Sequence, residues 1–341
     1  MIRALALCAL VACVPGAHAF DVSPHKAGDS LNTEQARELV SRYKARPVQP
    51  WREPKECDIP AGAEGQPGRE GRAVLRNTSQ PVGKLAPDPA KRMTWNSLNC
   101  VNCHQAGASG LPGTKPFALP LVNAVNDYPK YDIKSGKIVS LEQRVIGMFG
   151  PGAVPVKGSG ELKSILAYLG WLARGTAPGS AMERTGLQPM PAVARAADPA
   201  MGAKLYAAQC SSCHGANAMG LKKPDFDKGG GYLFPPIAGD DSYGNAGHMF
   251  AVPLLARYIR ASMPLGTDPD KPALTPAQAL DIAAYLNDDA MPRPKSANRQ
   301  GLYPDRAFRP QGFAIPEDFP GRHADYLRAK NGPFRNVNEE Y

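Results

Sequence analysis

The sequence of 341 residues lacks the features that mark several common protein classes. Beyond the first 20 residues, no apolar run approaches the roughly 20 residues that span a bilayer, so no transmembrane helix is expected there. The basic residues are scattered rather than clustered with aromatics, which argues against binding to nucleic acid. The formal net charge of +9 suits acidic redox partners or anionic substrates but selects neither.

Cysteine is scarce outside two short motifs. Of seven cysteines, Cys8 and Cys13 lie in the first 20 residues and Cys57 stands alone. The other four form two C-x-x-C-H motifs, residues 100–104 and 210–214. Such regular pairs do not suggest a disulfide framework.

The N-terminal residues MIRALALCALVACVPGAHAF combine one arginine, an apolar run and an A-x-A site, Ala17 to Ala19. This pattern predicts a secretory signal over residues 1–19 and a periplasmic protein that begins at Phe20. The alternative is a lipoprotein box ending at Cys13, which would anchor the chain, although the segment before Cys13 is short for such a signal.

The C-x-x-C-H motifs predict two covalently bound haem c groups. Two thiols three positions apart can add to the two vinyl groups of one haem, and the adjacent histidine then ligates the iron. A thioredoxin-like pair would sit on a βαβ pattern, which is absent, and a zinc site would need four nearby ligands. The attachment residues are therefore Cys100 and Cys103 with His104, and Cys210 and Cys213 with His214.

Each motif lies in a similar arrangement of helices, which predicts a mainly α fold. We expect two class I cytochrome c-like domains, each with a covalently attached haem, plus extended N- and C-terminal arms. Periodicity and capping residues predict helices over 33–44, 160–175, from Asp198 to the second motif, and over 274–288. The predicted division is a signal (1–19), an N-terminal extension with one helix (20–92), a first domain (93–175), a linker (176–197), a second domain (198–290) and a C-terminal arm (291–341).

The sixth iron ligand determines what each haem can do. A methionine thioether makes a closed, relatively high-potential electron-transfer site, whereas a thiolate or an open position permits other chemistry. In the second domain, Met263 lies 49 residues after His214 and precedes a proline, so it is the favoured ligand. His248 and Met249 are the alternatives.

In the first domain, Met148 lies 44 residues after His104 and is the favoured sixth ligand. No cysteine follows Cys103 in this domain. The competing interpretation of Met148, as of any methionine, is packing in the core.

Segments from almost the whole length of the sequence resemble the dihaem thiosulfate dehydrogenase family of periplasmic c-type cytochromes. They are NSLNCVNCH, DYPKYDIKSGKIVSLEQRVIGM, CSSCHGANAMG, FPPIAGDDSYGNAGHM, RYIRASMPLG, ALDIAAYLND, YPDRAFRP and NGPF. The resemblance implies an enzyme that oxidises thiosulfate to tetrathionate, or catalyses the reverse reaction. It also implies a first haem ligated by histidine and cysteine, with substrate coupling at that cysteine sulfur.

The sequence departs from this family at the cysteine itself. The family's R-I-N-G-C segment reads RVIGM here, residues 144–148, so Met148 stands where the cysteine is expected. The arginine that ends the family's Y-P-x-Y-x-x-R region is also absent here. The last three residues of that region are Asp132, Ile133 and Lys134. A thioether cannot ionise or form a persulfide-like adduct with thiosulfate. We therefore expect the sulfur-coupling mechanism to be lost and the anion pocket to be weaker.

Two further residues are catalytic candidates. Arg144 can bind a haem propionate, the commoner use, or a substrate anion. Cys57 has Arg52 and Lys55 nearby to favour a thiolate. Its alternatives are an unpaired thiol or an intermolecular disulfide.

Two functions remain, and the sequence does not decide whether the protein is an enzyme. Methionine at both sixth positions favours a periplasmic dihaem cytochrome that transfers single electrons between a donor and a cytochrome or oxidase acceptor. The family resemblance favours the alternative, a sulfur-oxyanion oxidoreductase with a cytochrome acceptor. Haem peroxidase chemistry needs an open iron face, which the two methionines oppose. The expected partners are a redox protein and a small sulfur oxyanion.

Overall fold

The computed structural model describes residues 19–338, so the expected signal with Cys8 and Cys13 lies outside the described part apart from Ala19. The fold is mainly helical and cytochrome c-like, as expected. The helices are α1 Thr33–Lys44, α2 Gly62–Asn77, α3 Ser79–Val82, α4 Ala124–Asp127, α5 Leu141–Phe149, α6 Gly160–Leu172, α7 Pro199–Gln209, α8 Ser211–His214, α9 Val252–Ser262, α10 Pro276–Leu286 and α11 His323–Asn331. Over residues 19–338, no helix is both long and apolar enough to cross a membrane.

The four helices expected from the sequence are present, and their caps explain where they begin. In α1, the Asn32 side chain accepts from the Gln35 backbone and the Gln35 side chain accepts in return. Asp198 caps α7 by accepting from two backbone amides. Thr275 caps α10 in the same way as Asn32 caps α1, through Gln278.

The N-terminal segment 20–92 was expected to contain one helix, and this expectation is wrong. It also contains α2 and the short α3. Four glycines and Pro67 give α2 a low intrinsic helix propensity, which conceals the helix in the sequence. Packing of its glycine-rich face, including Gly65, Gly68 and Gly71, against the rest of the protein overrides that propensity.

The same helix crossing occurs twice. A Cβ on Gly71 of α2 would overlap the carbonyl oxygen of Ser164 in α6 and lie 2.8 Å from the Cβ of Tyr168. In the second crossing, a Cβ on Gly202 of α7 would overlap the carbonyl oxygen of Asp281 in α10 and lie 2.9 Å from the Cβ of Tyr285. Only glycine permits this approach. We call α2 to α6 with the first motif the first unit, and α7 to α10 with the second motif the second unit.

Three two-stranded sheets fix the loops between the helices. Their strands are β1 Val48–Gln49, β2 Lys130–Asp132, β3 Lys137–Val139, β4 Ala181–Met182, β5 Leu221–Lys222 and β6 Tyr232–Phe234. β1 and β4 are parallel, whereas β2 with β3 and β5 with β6 are antiparallel hairpins. The β2–β3 hairpin pairs Tyr131 with Ile138 and packs both inwards.

The C-terminal arm packs on the body through its aromatic residues. The amide of Tyr303 donates to the carbonyl oxygen of Lys134 at 2.9 Å, which ties the arm to the β2–β3 hairpin. Phe308 contacts Tyr131 edge to face, and Phe313 contacts Tyr303 in the same manner. Each unit has a hydrophobic core of its own, and these aromatic residues belong to a third core, which joins the arm and the N-terminal residues to the two units.

Candidate haem-binding sites

The first C-x-x-C-H motif holds its histidine in the geometry of an iron ligand. His104 Nδ1 lies 2.6 Å from the carbonyl oxygen of Leu119. Because a carbonyl only accepts, Nδ1 carries the proton and Nε2 keeps its lone pair free for a metal. Burial lowers the pKa of His104 despite that hydrogen bond, which favours the neutral ligand form. Leu119 has a φ of 51°, an uncommon backbone conformation that presents this carbonyl.

The second motif repeats the arrangement. His214 Nδ1 lies 2.7 Å from the carbonyl oxygen of Pro235, and burial lowers the pKa of His214 as well. Both acceptor residues, Leu119 and Pro235, directly precede a proline. The two motifs therefore present equivalent histidine rings in equivalent hydrogen bonds.

The cysteines of both motifs are free, as covalent attachment to a haem requires. Burial raises the pKa of Cys100 and Cys210, and burial together with Cys100 raises that of Cys103 to about 11. Thr78 fixes the first motif, because its hydroxyl accepts from the Cys100 amide at 3.0 Å and donates to the Val74 carbonyl in α2. Free thiols and neutral histidines together fit covalently attached haem c.

Helix α5 brings Met148 and Arg144 to one face, one helical turn apart. Val145 and Ile146 of this helix pack on the same core cluster as Cys100, so α5 lies beside the first motif. The Met148 side chain is 51% exposed. Arg144 acts electrostatically on His104, and its guanidinium has no hydrogen bond or ion pair with any residue of the described chain.

Arg144 belongs to a cluster of cations. Lys130, Lys134 and Arg144 all depress the pKa of His248, after burial as the largest cause, to about 4. Lys130 stacks against Tyr43 and Tyr128, with Nζ 5.3 and 5.4 Å from the ring centroids. Lys134 stands at the position of the arginine that the sequence resemblance leads one to expect, so positive charge remains in this cluster.

Asp132 is one of two acidic residues that act on this cluster. It acts on Lys130, Lys134 and His248, but its Oδ2 also accepts from the Ser135 hydroxyl at 2.6 Å. Burial lowers the pKa of both lysines. Asp127 also acts on Lys130, but it forms an ion pair with Arg46 at 3.0 Å. Asp132 therefore faces three cations, and an anion would offset the remaining charge.

The second motif has two methionines in its neighbourhood. Met263 is the C-cap of α9 and, like Cys210, packs on the core cluster of the second unit. Met249 packs between this cluster and the third core, and its carbonyl oxygen accepts from Asn287 at 2.9 Å. His248 precedes it and lies in the cation cluster of the first motif rather than with Cys210.

Cys57 is exposed in a turn that leads into α2. Its neighbours form ion pairs away from the haem motifs: Glu56 with Arg72, and Asp58 with Arg52. The contacts of this turn run to α2 and α6, so the structure does not bring Cys57 together with the first motif's ligands.

Sequence reasoning missed several residues of the sites. The carbonyls of Leu119 and Pro235 carry no side-chain signal, although the following prolines could have indicated the loop. Tyr258 of α9 was also missed; its hydroxyl donates to the carbonyl oxygen of Cys103 at 2.9 Å. A tyrosine inside a helix gives no indication that it reaches another unit.

Comparisons with known proteins show the family to which the chain is related. The cytochrome c family model matches residues 199–288. The chain is 33% identical over 243 residues to a thiosulfate dehydrogenase of Stutzerimonas stutzeri, covering 70% of this chain and 72% of that protein. It is 32% identical over 251 residues to one of Allochromatium vinosum, covering 73% of this chain and 87% of that protein.

A solved structure has the same fold. It is the as-isolated form of thiosulfate dehydrogenase TsdBA from Marichromatium purpuratum, with a TM-score of 0.61 and 29% sequence identity. The match covers 79% of this chain but only 56% of that one. The family expected from the sequence is confirmed, and with it covalently bound haem c. The chain belongs to the thiosulfate dehydrogenase family of c-type cytochromes.

Proposed function

We propose that the protein is a periplasmic dihaem cytochrome that exchanges electrons between a sulfur oxyanion and a redox protein. The relatives named thiosulfate dehydrogenase support this enzymatic function over a simple electron relay. The observation that carries the proposal is the guanidinium of Arg144, which acts on His104, is grouped with Lys130 and Lys134, and makes no hydrogen bond or ion pair within residues 19–338.

The repetition in the structure supports two haems. Each unit has a glycine helix crossing, a C-x-x-C-H motif and a histidine that donates to a carbonyl. We assign His104 and Met148 to the first iron, and His214 and Met263 to the second. When bound, each haem c supplies a one-electron acceptor.

The cation cluster is suited to thiosulfate, which is a dianion. Two thiosulfate ions that form one sulfur–sulfur bond give one tetrathionate ion and release two electrons, one for each haem. The repulsion between two dianions opposes their approach, and Arg144 and Lys134 would reduce it. A guanidinium also orients an oxyanion through two parallel hydrogen bonds.

Met148 is the observation that favours the second candidate, an electron relay between a donor and a cytochrome or oxidase. It lies one turn from Arg144, where the family would place cysteine. Its thioether cannot hold a sulfur adduct, so any coupling must occur between anions held by the cations alone. In the relay, Arg144 would pair with a haem propionate instead.

The test is reduction of ferricyanide by the purified full-length protein with thiosulfate as donor. If the protein turns over thiosulfate and Arg144→Met weakens that turnover, the enzymatic function is supported. If it does not turn over thiosulfate, tetrathionate or sulfite, the electron relay is the function that remains. If Met148→Cys restores thiosulfate turnover, the replacement of the cysteine at the first haem explains why the wild-type protein lacks it. Detection of the protein in the periplasmic fraction tests the proposed location.

A further inference from the structure

A chain of hydrogen bonds crosses from the first motif to the end of α9. Tyr258 Oη donates to the Cys103 carbonyl oxygen at 2.9 Å and accepts from Gln105 Nε2 at 3.1 Å. Lys115 Nζ donates to Gln105 Oε1 at 3.0 Å and to the Ser262 carbonyl oxygen at 3.4 Å. The first unit supplies Cys103, Gln105 and Lys115, and α9 of the second unit supplies the other two residues.

The ammonium of Lys115 lies where a helix favours positive charge. Ser262 is the last residue of α9, and Met263 is its C-cap. The last carbonyls of a helix lack intrahelical donors and carry the negative end of its dipole. Lys115 is partly buried, so its attraction to this end is less screened than at an open surface.

The second motif is also contacted by a tyrosine, but that hydrogen bond does not join the two units. There, Tyr206 of α7 donates to the carbonyl oxygen of Gly215, the residue after His214, at 2.6 Å. Donor and acceptor both belong to the second unit. A tyrosine hydroxyl thus donates to the backbone at each motif. At the first motif the tyrosine belongs to the other unit, whereas at the second motif it belongs to the same unit.

We propose that Tyr258 and Lys115 are positioning residues that couple the two iron sites, an inference that rests on the proposed two haems with Met263 on the second iron. Tyr258 fixes the loop that carries Cys103 and His104. Lys115 fixes the end of α9 that leads into Met263. Reduction adds one electron to the iron, so the positive charge of Lys115 also favours the reduced second haem.

The experiment is a spectroscopic redox titration of the full-length holoprotein with no sulfur compound present. Double-alanine variants of each cysteine pair assign the two midpoint potentials. Lys115→Gln is expected to lower the potential of the second haem, although Lys115 belongs to the first unit. Tyr258→Phe is expected to shift the first haem, and the effects of the two substitutions should be non-additive in the double variant.

Two controls isolate the effect. Lys163→Gln removes an exposed lysine of α6 and should leave both potentials unchanged. Tyr206→Phe removes the phenol of the second unit and should shift the second haem alone. The proposal is overturned if Lys115→Gln leaves the second potential unchanged, even with a lower melting temperature, or if the two effects simply add.

Failure of the proposed function gives a different result. A wild-type protein with no thioether-to-iron band from its second haem contradicts the assignment of Met263. Absence of thiosulfate turnover contradicts the enzymatic activity. Both results are obtained on the wild-type protein, whereas the coupling is measured as the shift of the midpoint potential in Lys115→Gln.

Discussion

The hydroxyl of Tyr258 donates to the carbonyl oxygen of Cys103 at 2.9 Å, so a helix of the second unit holds the C-x-x-C-H motif of the first. An ion pair between Lys84 and Asp241 crosses the same boundary, and Asp241 also accepts from Tyr232 at 3.0 Å. These polar contacts fix the orientation of one unit relative to the other, which apolar packing alone specifies less strictly.

The number of haems can be counted directly. We expect two haems per chain in the wild-type protein and one in the Cys210→Ala/Cys213→Ala variant, because each thiol pair attaches one group. Cys57→Ala should keep both haems and full activity, since Cys57 lies apart from both motifs. Pyridine haemochrome absorbance per mole of protein measures this, and one haem in the wild type would contradict the proposal.

Arg144→Met should weaken binding of thiosulfate. A hydrogen bond to a charged group contributes about 1.5–3 kcal/mol, so the KM should rise about 10- to 100-fold. Arg37→Met removes an exposed arginine of α1 and should leave the KM unchanged. Steady-state ferricyanide reduction gives both values. An unchanged KM in Arg144→Met, with a shifted potential of the first haem, would instead place the guanidinium on a propionate.

The two helix crossings should not tolerate a side chain. Gly71→Ala and Gly202→Ala place a Cβ against a backbone carbonyl oxygen, which should cost about 1–3 kcal/mol of the free energy of unfolding. Gly170→Ala in α6 has no atom within 4 Å of the added carbon. It should be neutral or stabilise by up to about 1 kcal/mol. Thermal unfolding compares the three, and equal melting temperatures would refute the crossing.

The C-terminal arm should depend on one ion pair. Asp289 pairs with Lys330 at 2.6 Å and accepts from Tyr326 at 2.6 Å, while the lysine side chain is only 3% exposed. Asp289→Asn leaves that buried ammonium without its counter-charge and should destabilise by roughly 2–4 kcal/mol. Asp325→Asn, in an exposed pair with Arg322, should cost less than about 0.5 kcal/mol.

This pair also gives a pH dependence. Burial by itself would raise the pKa of Asp289, but the hydrogen bonds from Lys330 and Tyr326 outweigh it and lower the pKa below the usual 3.8. The stabilisation is therefore present above pH 3.8 and is lost as the pH falls through the lowered value. Asp289→Asn should lack this acid-dependent loss in urea titrations between pH 5 and 2.

Local patterns in the sequence determined the haem chemistry and the starts of four of the helices. C-x-x-C-H predicts the attachment residues and one iron ligand of a haem c, because the spacing of two thiols and one imidazole is a local geometry. The N-caps of three helices could also be predicted from the sequence, because each cap acts within one helical turn; they are Asn32, Asp198 and Thr275. The cytochrome family followed from the order of such segments.

Only the tertiary structure decided what depends on contacts between distant segments. Helix α2 forms because Gly71 meets Ser164, a partner that its low helix propensity does not reveal. Lys130, Lys134 and Arg144 become one cluster because a hairpin and a helix pack together beside His104. Tyr258 reaches Cys103 across 155 residues of sequence. The sequence alone determined which haem chemistry is present, whereas packing decided which charges and hydrogen bonds surround it.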